Sequence, residues 1–253
     1  MTYLQQLDDI INKTIAPAAQ AIDRDSAFPR AAIHALGDAG LLGLISAEEV
    51  GGMGLGLAEA AQVVERIAKV CSSTAMVVTM HYCGTTVLEK FGNATIRHDI
   101  AEGAHLTTLA WSDSGSRSHF WAPVSEARRE GDDIILDGSK SMVTSAAEAD
   151  SYVWSTSPAA TEGASTLWLV NSKATGLSQP NYFDGLGLRG NCSSPLTSTS
   201  LRLSASDMLG TDGGGFDIMI GTVLPVFSTL IASSSIGTMD AAIESSCAHV
   251  SGN

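Results

Sequence analysis

Residues 106–150 read LTTLAWSDSGSRSHFWAPVSEARREGDDIILDGSKSMVTSAAEAD. Two parts of this stretch are rich in hydroxyls beside apolar side chains: Leu109 to Ser118 (LAWSDSGSRS) and Ser139 to Thr144 (SKSMVT). Between them, Glu130 to Gly138 reads as strand–turn–strand. Gly131-Asp132-Asp133 and Asp137-Gly138 are turn signals on either side of the run Ile134-Ile135-Leu136. A hairpin here would set the two hydroxyl-tipped parts side by side, although about thirty residues separate them in the chain. Together they would make a surface suited to a flat, polar ring system.

Outward from this stretch the composition changes on both sides. Upstream, Leu4, Leu7, Ile11, Ile15, Ala18 and Ile22 recur at helical spacing, with Pro17 expected to kink the helix. A second helix is expected over Ala31 to Ala39, stopping at Gly40. The run Gly51 to Gly56 has no following Gly-Lys-Ser/Thr, so it reads as a turn before a helix rather than a phosphate cradle. Leu57 to Cys71 carries a third helical stripe. A fourth helix, Thr74 to Phe91, is capped by Ser72 or Ser73 and is apolar on most faces, so its His81 is a satisfied core histidine. Ala94 to Gly103 makes a short fifth helix.

Downstream, six candidate strands are expected: Thr107–Trp111, Val124–Arg129, Ile134–Leu136, Ser151–Ser155, Thr166–Val170 and Leu196–Leu203. Helical spacing returns from Phe216 to Val250. Helices, then strands, then helix argue for α+β. The expected architecture is an N-terminal all-α bundle (1–105), a central β-barrel or sandwich (106–213) and the start of a C-terminal α-helical domain (214–253).

The chain has 253 residues, 44% of them hydrophobic, enough for one large or two modest cores. Its net charge of −13 argues against nucleic acid and anionic membranes as partners. Cys71, Cys83, Cys192 and Cys247 are scattered and have no histidine at metal-ligand spacing. Reduced, mostly buried thiols and no metal site are expected. The N-terminus shows no leader pattern, and no apolar stretch is expected to approach the roughly twenty residues a membrane span needs. A soluble, cytoplasmic protein is the expectation.

Four motifs resemble the acyl-CoA dehydrogenase superfamily of flavoproteins. Ser112 to His119 (SDSGSRSH) follows the family's Thr/Ser-Glu-Pro-Gly-x-Gly-Ser-Asp signature without a gap. Asp137 to Thr144 (DGSKSMVT) matches its Asn-Gly-x-Lys-x-Trp-Ile-Thr segment. Gly185 to Gly190 (GLGLRG) matches a Gly-x-Gly-x-Arg-Gly turn, and Glu49 to Gly54 (EVGGMG) a Gly-Gly-x-Gly loop. Their order and spacing, across most of the chain, carry the resemblance.

The resemblance implies an enzyme that binds FAD and desaturates an acyl-CoA thioester between the α and β carbons. A glutamate would take the α-proton while the β-hydrogen leaves as hydride to flavin N5. Residue by residue it implies cofactor contacts from Leu109, Trp111, Ser112, Met142 and Thr144, and a substrate contact from Ser118. It further implies an electron acceptor such as an electron-transfer flavoprotein, a homotetramer and a place in fatty acid metabolism. The catalytic base is left unassigned. In most members it lies beyond the point matching Asn253, and Glu244 reads as a solvated or interface side chain. The expectation is a piece of a longer polypeptide rather than a shortened relative. Departures from the signature are Arg117 in place of Gly, His119 in place of Asp, Met142 in place of an aromatic, and the bulky Phe120-Trp121-Ala122-Pro123. These would reshape the substrate pocket, and Arg117 would meet a phosphate, a substrate carboxylate or a structural partner. Two other readings stay open: a flavin monooxygenase or oxidase of the same fold, and a non-catalytic subunit.

Overall fold

The computed structural model describes residues 2–117, 119–179 and 183–252. The chain starts with α1 (Tyr3–Ile10), whose first turn is closed by Thr2. Its Oγ1 accepts from the Gln5 amide at 3.3 Å, and the Gln5 side chain accepts from the Thr2 amide at 2.9 Å. The helix runs on through a π turn (Ile11–Ile15) into α2 (Ala16–Asp25). Pro17, where a kink is expected, follows a π turn. A proline ring crowds the carbonyl four residues back and donates no hydrogen bond to it, and widening the preceding turn accommodates both effects. Next come α3 (Arg30–Asp38), α4 (Leu57–Ala68), α5 (Ser72–Phe91) and α6 (Ala94–Ala101). The N-cap of α5 is Cys71, not Ser72 or Ser73, and Thr74 Oγ1 donates to its Sγ at 3.2 Å.

Among the described residues eight strands follow, in two four-stranded sheets. One has the order β1 (Thr107–Ala110), β4 (Ser151–Thr156), β5 (Thr166–Asn171), β8 (Met208–Leu209). The other has the order β2 (Glu126–Glu130), β3 (Asp133–Val143), β7 (Ser194–Ser204), β6 (Leu177–Ser178). The first sheet is the middle layer of three. Leu109, Val153, Leu167 and Leu209 point into the helical core, while Ala110, Tyr152, Trp154, Trp168 and Val170 fill the core between the sheets. Every residue of β4 is buried, as a strand covered on both faces must be.

The turn of the β2–β3 hairpin is Gly131–Asp132. Asp137-Gly138 is not a turn: β3 passes straight through it, with a shift of register against β7 between Leu136 and Gly138. Glycine is needed there because a Cβ would stand 2.1 Å from Ser125 Oγ.

The last element is one helical rod, α7 (Gly215–Ile218), a π turn (Met219–Val223) and α8 (Leu224–Ser251). Pro225 stands two residues after its π turn, as Pro17 does after the first. The rod is 37 residues and, by length and composition, apolar enough to cross a membrane, which the sequence reading did not anticipate. Its apolar residues are interrupted by Ser and Thr, so no continuous run stands out. The hydroxyls of Thr229, Ser233, Ser235, Thr238 and Ser246 each donate to the carbonyl four residues back, at 2.8–3.1 Å, which removes their polarity from the helix surface. One face of α8 packs on α4. Gly237 allows the approach, since a Cβ there would meet the Glu65 carbonyl at 2.1 Å.

Candidate active site

The two hydroxyl-tipped segments lie side by side. Ser141 N donates to Ser112 O at 2.8 Å, Ser114 N donates to Ser139 O at 2.9 Å, and Asp113 and Lys140 face each other in an antiparallel bridge between them. A buried ion pair locks this junction. Lys140 Nζ stands 2.9 Å from Asp113 Oδ1, with both side chains out of solvent. The ammonium also donates to Ser155 O at 2.6 Å, Ser155 Oγ at 3.0 Å and Trp111 O at 3.3 Å, and lies 5.2 Å from the centre of the Trp154 ring. Burial pulls Lys140 below the usual lysine range, to about 8, against the opposing pull of the Asp113 carboxylate. The carboxylate accepts from Val124 N at 2.6 Å, Ser125 N at 2.9 Å and Ser125 Oγ at 2.6 Å. Desolvating two charges is tolerable only when their remaining hydrogen-bonding positions are filled, as they are here. The sequence reading gave neither residue a role. The available signal was a lone acid and a lone base set among Ser, Gly and apolar residues in the two segments.

The junction opens on a cleft of about 540 Å³, its solvent-open mouth included, lined by Leu109, Trp111, Ser112, Phe120 and Met142 from the β layer and Met80, Val223, Leu224 and Phe227 from α5 and the last helix. Four of the five residues expected to touch a cofactor therefore share one wall. Thr144 is half-buried, one residue past the end of β3, and is not among the lining residues. Ser118 lies outside the described residues. Arg117 is exposed, with a left-handed backbone (φ 54°), and forms no ion pair among the described residues. Glu244 pairs with Lys69 across α8 and α4. Among the described residues, none that lines the cleft carries a charge.

Trp111 is buried on the cleft wall, and its Nε1 has no hydrogen-bond partner. A buried N–H without an acceptor is costly. Here it offers a donor in an otherwise apolar slot, the combination that a flavin ring with polar edges and an apolar body requires.

His81 supports the site from behind. It is buried, its Nδ1 accepts from Thr107 N at 3.2 Å, and its Nε2 lies 3.0 Å from Leu42 O. Accepting at Nδ1 requires the proton on Nε2, so the ring is neutral and bridges α5, β1 and the loop after α3. Burial lowers it to about 4, in agreement with the core role expected from the sequence. The Gly51–Gly56 segment is a structural turn: Met53, Gly54 and Leu55 amides donate to Gly43, Ser46 and Leu44 carbonyls at 2.8–3.2 Å.

The acyl-CoA dehydrogenase N-terminal domain model matches residues 2–103, and the middle domain model of the same family matches 108–200. The chain belongs to the acyl-CoA dehydrogenase family. It is 31% identical over 250 residues to the short-chain specific acyl-CoA dehydrogenase, mitochondrial, of Homo sapiens, covering 95% of this chain and 60% of that one. It is 27% identical to cyclohex-1-ene-1-carbonyl-CoA dehydrogenase of Syntrophus aciditrophicus, covering 97% of this chain and 61% of that one. The butyryl-CoA dehydrogenase structure from Megasphaera elsdenii superposes with a TM-score of 0.88 at 21% identity, covering 96% of this chain and 66% of that one, and shares the fold. The chain thus spans about 60% of the length of the curated relatives it matches. The α+β arrangement expected from the sequence is the acyl-CoA dehydrogenase fold.

Proposed function

We propose that this protein is an FAD-dependent acyl-CoA dehydrogenase that removes one α and one β hydrogen from an acyl-CoA thioester. The observation that carries the proposal is the unpartnered buried indole N–H of Trp111 in an uncharged cleft, on a wall held in place by the Asp113–Lys140 pair. Bound FAD would supply the hydride acceptor. On this reading Trp111 Nε1 and the Ser112 hydroxyl donate to the polar edge of the ring system. Leu109 and Met142 pack against its body, Thr144 acts at its margin, and Ser118 contacts the substrate. Met80, Val223, Leu224 and Phe227 close the opposite side and exclude water, which strengthens every hydrogen bond formed inside.

The same reading places the reduced carrier in contact with an acceptor such as an electron-transfer flavoprotein, and the enzyme in fatty acid metabolism. The outward Ile236, Met239, Ile243 and Val250 of α8 support a homotetramer, because exposed apolar patches call for cover. Three of the four cysteines are buried, which fits a reducing cytoplasm. Purified protein is expected to be yellow, to hold one FAD per chain and to reduce an artificial electron acceptor only when an acyl-CoA is added. A colourless protein that takes up no FAD contradicts the proposal.

A further inference from the structure

We infer that the stacked pair of Trp111 and Phe120 selects a compact, flat acyl group and rejects long linear chains. This inference rests on the cleft being the acyl-CoA site.

The two rings lie with centroids 6.0 Å apart and planes 19° from parallel, so they present one continuous aromatic slab to the cleft. The slab is held by contacts to both of its residues. The Trp111 carbonyl accepts from Lys140 Nζ and from Ser155 Oγ, both at 3.3 Å, so its backbone cannot withdraw. Trp121 meets Phe120 edge-on, with ring centroids 5.0 Å apart, and the His119 ring lies 5.0 Å from that of Trp121. The loop carrying these rings is tied down at both ends. His119 N donates to Ser116 O at 3.0 Å, and Val124 N and Ser125 N donate to the Asp113 carboxylate. A slab held in this way does not rotate aside to admit a longer chain.

Facing it are Met80 and Phe227, a thioether and a third ring. Thioethers and aromatic edges gain most against the face of another flat group. The cleft's 540 Å³ includes its open mouth and must also admit the ring system of the cofactor, so the volume left for the acyl group is small.

The test uses full-length, FAD-loaded protein and measures dissociation constants by calorimetry for CoA, benzoyl-CoA and octanoyl-CoA. Benzoyl-CoA has no α-hydrogen to lose, so its binding is read without turnover. The expected result is benzoyl-CoA bound about tenfold or more tighter than octanoyl-CoA, the scale at which an apolar pocket discriminates by shape. In Phe120→Ala that ratio falls to about one while the affinity for CoA alone is unchanged. Phe120→Leu, which keeps most of the volume but removes the ring, also lowers the ratio and guards against a misfolded alanine variant. Octanoyl-CoA bound more tightly than benzoyl-CoA by the wild type, or a ratio indifferent to both substitutions, overturns the inference while leaving the flavoenzyme reading intact. Protein that holds FAD but binds no thioester overturns the acyl-CoA reading and the inference with it.

Discussion

Asp113 and Lys140 each fill a buried site that no single neighbour could satisfy. The carboxylate holds Val124 and Ser125, and the ammonium holds Ser155 and the Trp111 carbonyl, so removing either end strands the other. Asp113→Ala is expected to cost about 3–5 kcal/mol in urea unfolding, the usual penalty for one uncompensated buried charge. An unchanged midpoint would show that the pair is not a structural lock. His81 sets a pH dependence whose sign follows from its burial. Its folded value of about 4 lies below the unfolded value near 6.5, so the unfolded chain binds more protons between these limits. Stability from this group is complete above about pH 6.5 and is lost as pH falls towards 4, a total of about 3 kcal/mol. Unfolding of wild type and His81→Gln at pH 7 and 4.5 should show a smaller loss on acidification in the variant. Equal losses would contradict the neutral, buried imidazole. The core role of His81 was legible from its place in an apolar helix. That of Lys140 was not, because periodicity cannot reveal that a charged side chain has a buried partner twenty-seven positions away.

At the scale of elements, helices were legible because each carries an apolar stripe at one spacing, while the errors fell where backbone chemistry is local. Pro17 and Pro225 each follow a π turn, a geometry with no sequence signature beyond the proline itself. Asp137-Gly138 has the composition of a turn, but Gly138 is there because Ser125 leaves no room for a Cβ. The last helix hid its apolar length behind Ser and Thr whose hydroxyls bond to their own backbone. Its packing on α4 depends on Gly237. Gly237→Leu should force the two helices apart and destabilise the protein by about 1–3 kcal/mol, read from the thermal midpoint. A neutral result would mean that the α4–α8 contact is not close-packed in solution.

Over the whole molecule, the middle sheet carries the site because it is the layer shared by both cores. Its β1 turns Leu109 and Trp111 towards the helices and Ala110 towards the second sheet, so the wall of the cleft is also the face of a packed sandwich. Sequence alone brought out this wall, since its residues belong to two short hydroxyl-rich segments. It did not reveal the opposite wall. Met80, Val223, Leu224 and Phe227 come from helices distant in the chain, and their apolar stripe reads as ordinary core until the fold brings α5 and the last helix over β1. Phe120 was visible as unusual bulk, but only its stacking on Trp111 gives that bulk a consequence.

The central claim is that this wall holds a flavin. Its most direct measurement is titration of the folded, flavin-free protein with FAD, following flavin fluorescence and the fluorescence of Trp111 against a Trp111→Leu control. The account predicts saturable one-to-one binding that perturbs both signals in the wild type and is weakened about tenfold or more in the variant, as expected when one buried hydrogen bond and a ring contact are lost. Native circular dichroism with no change in either signal at any FAD concentration would contradict it.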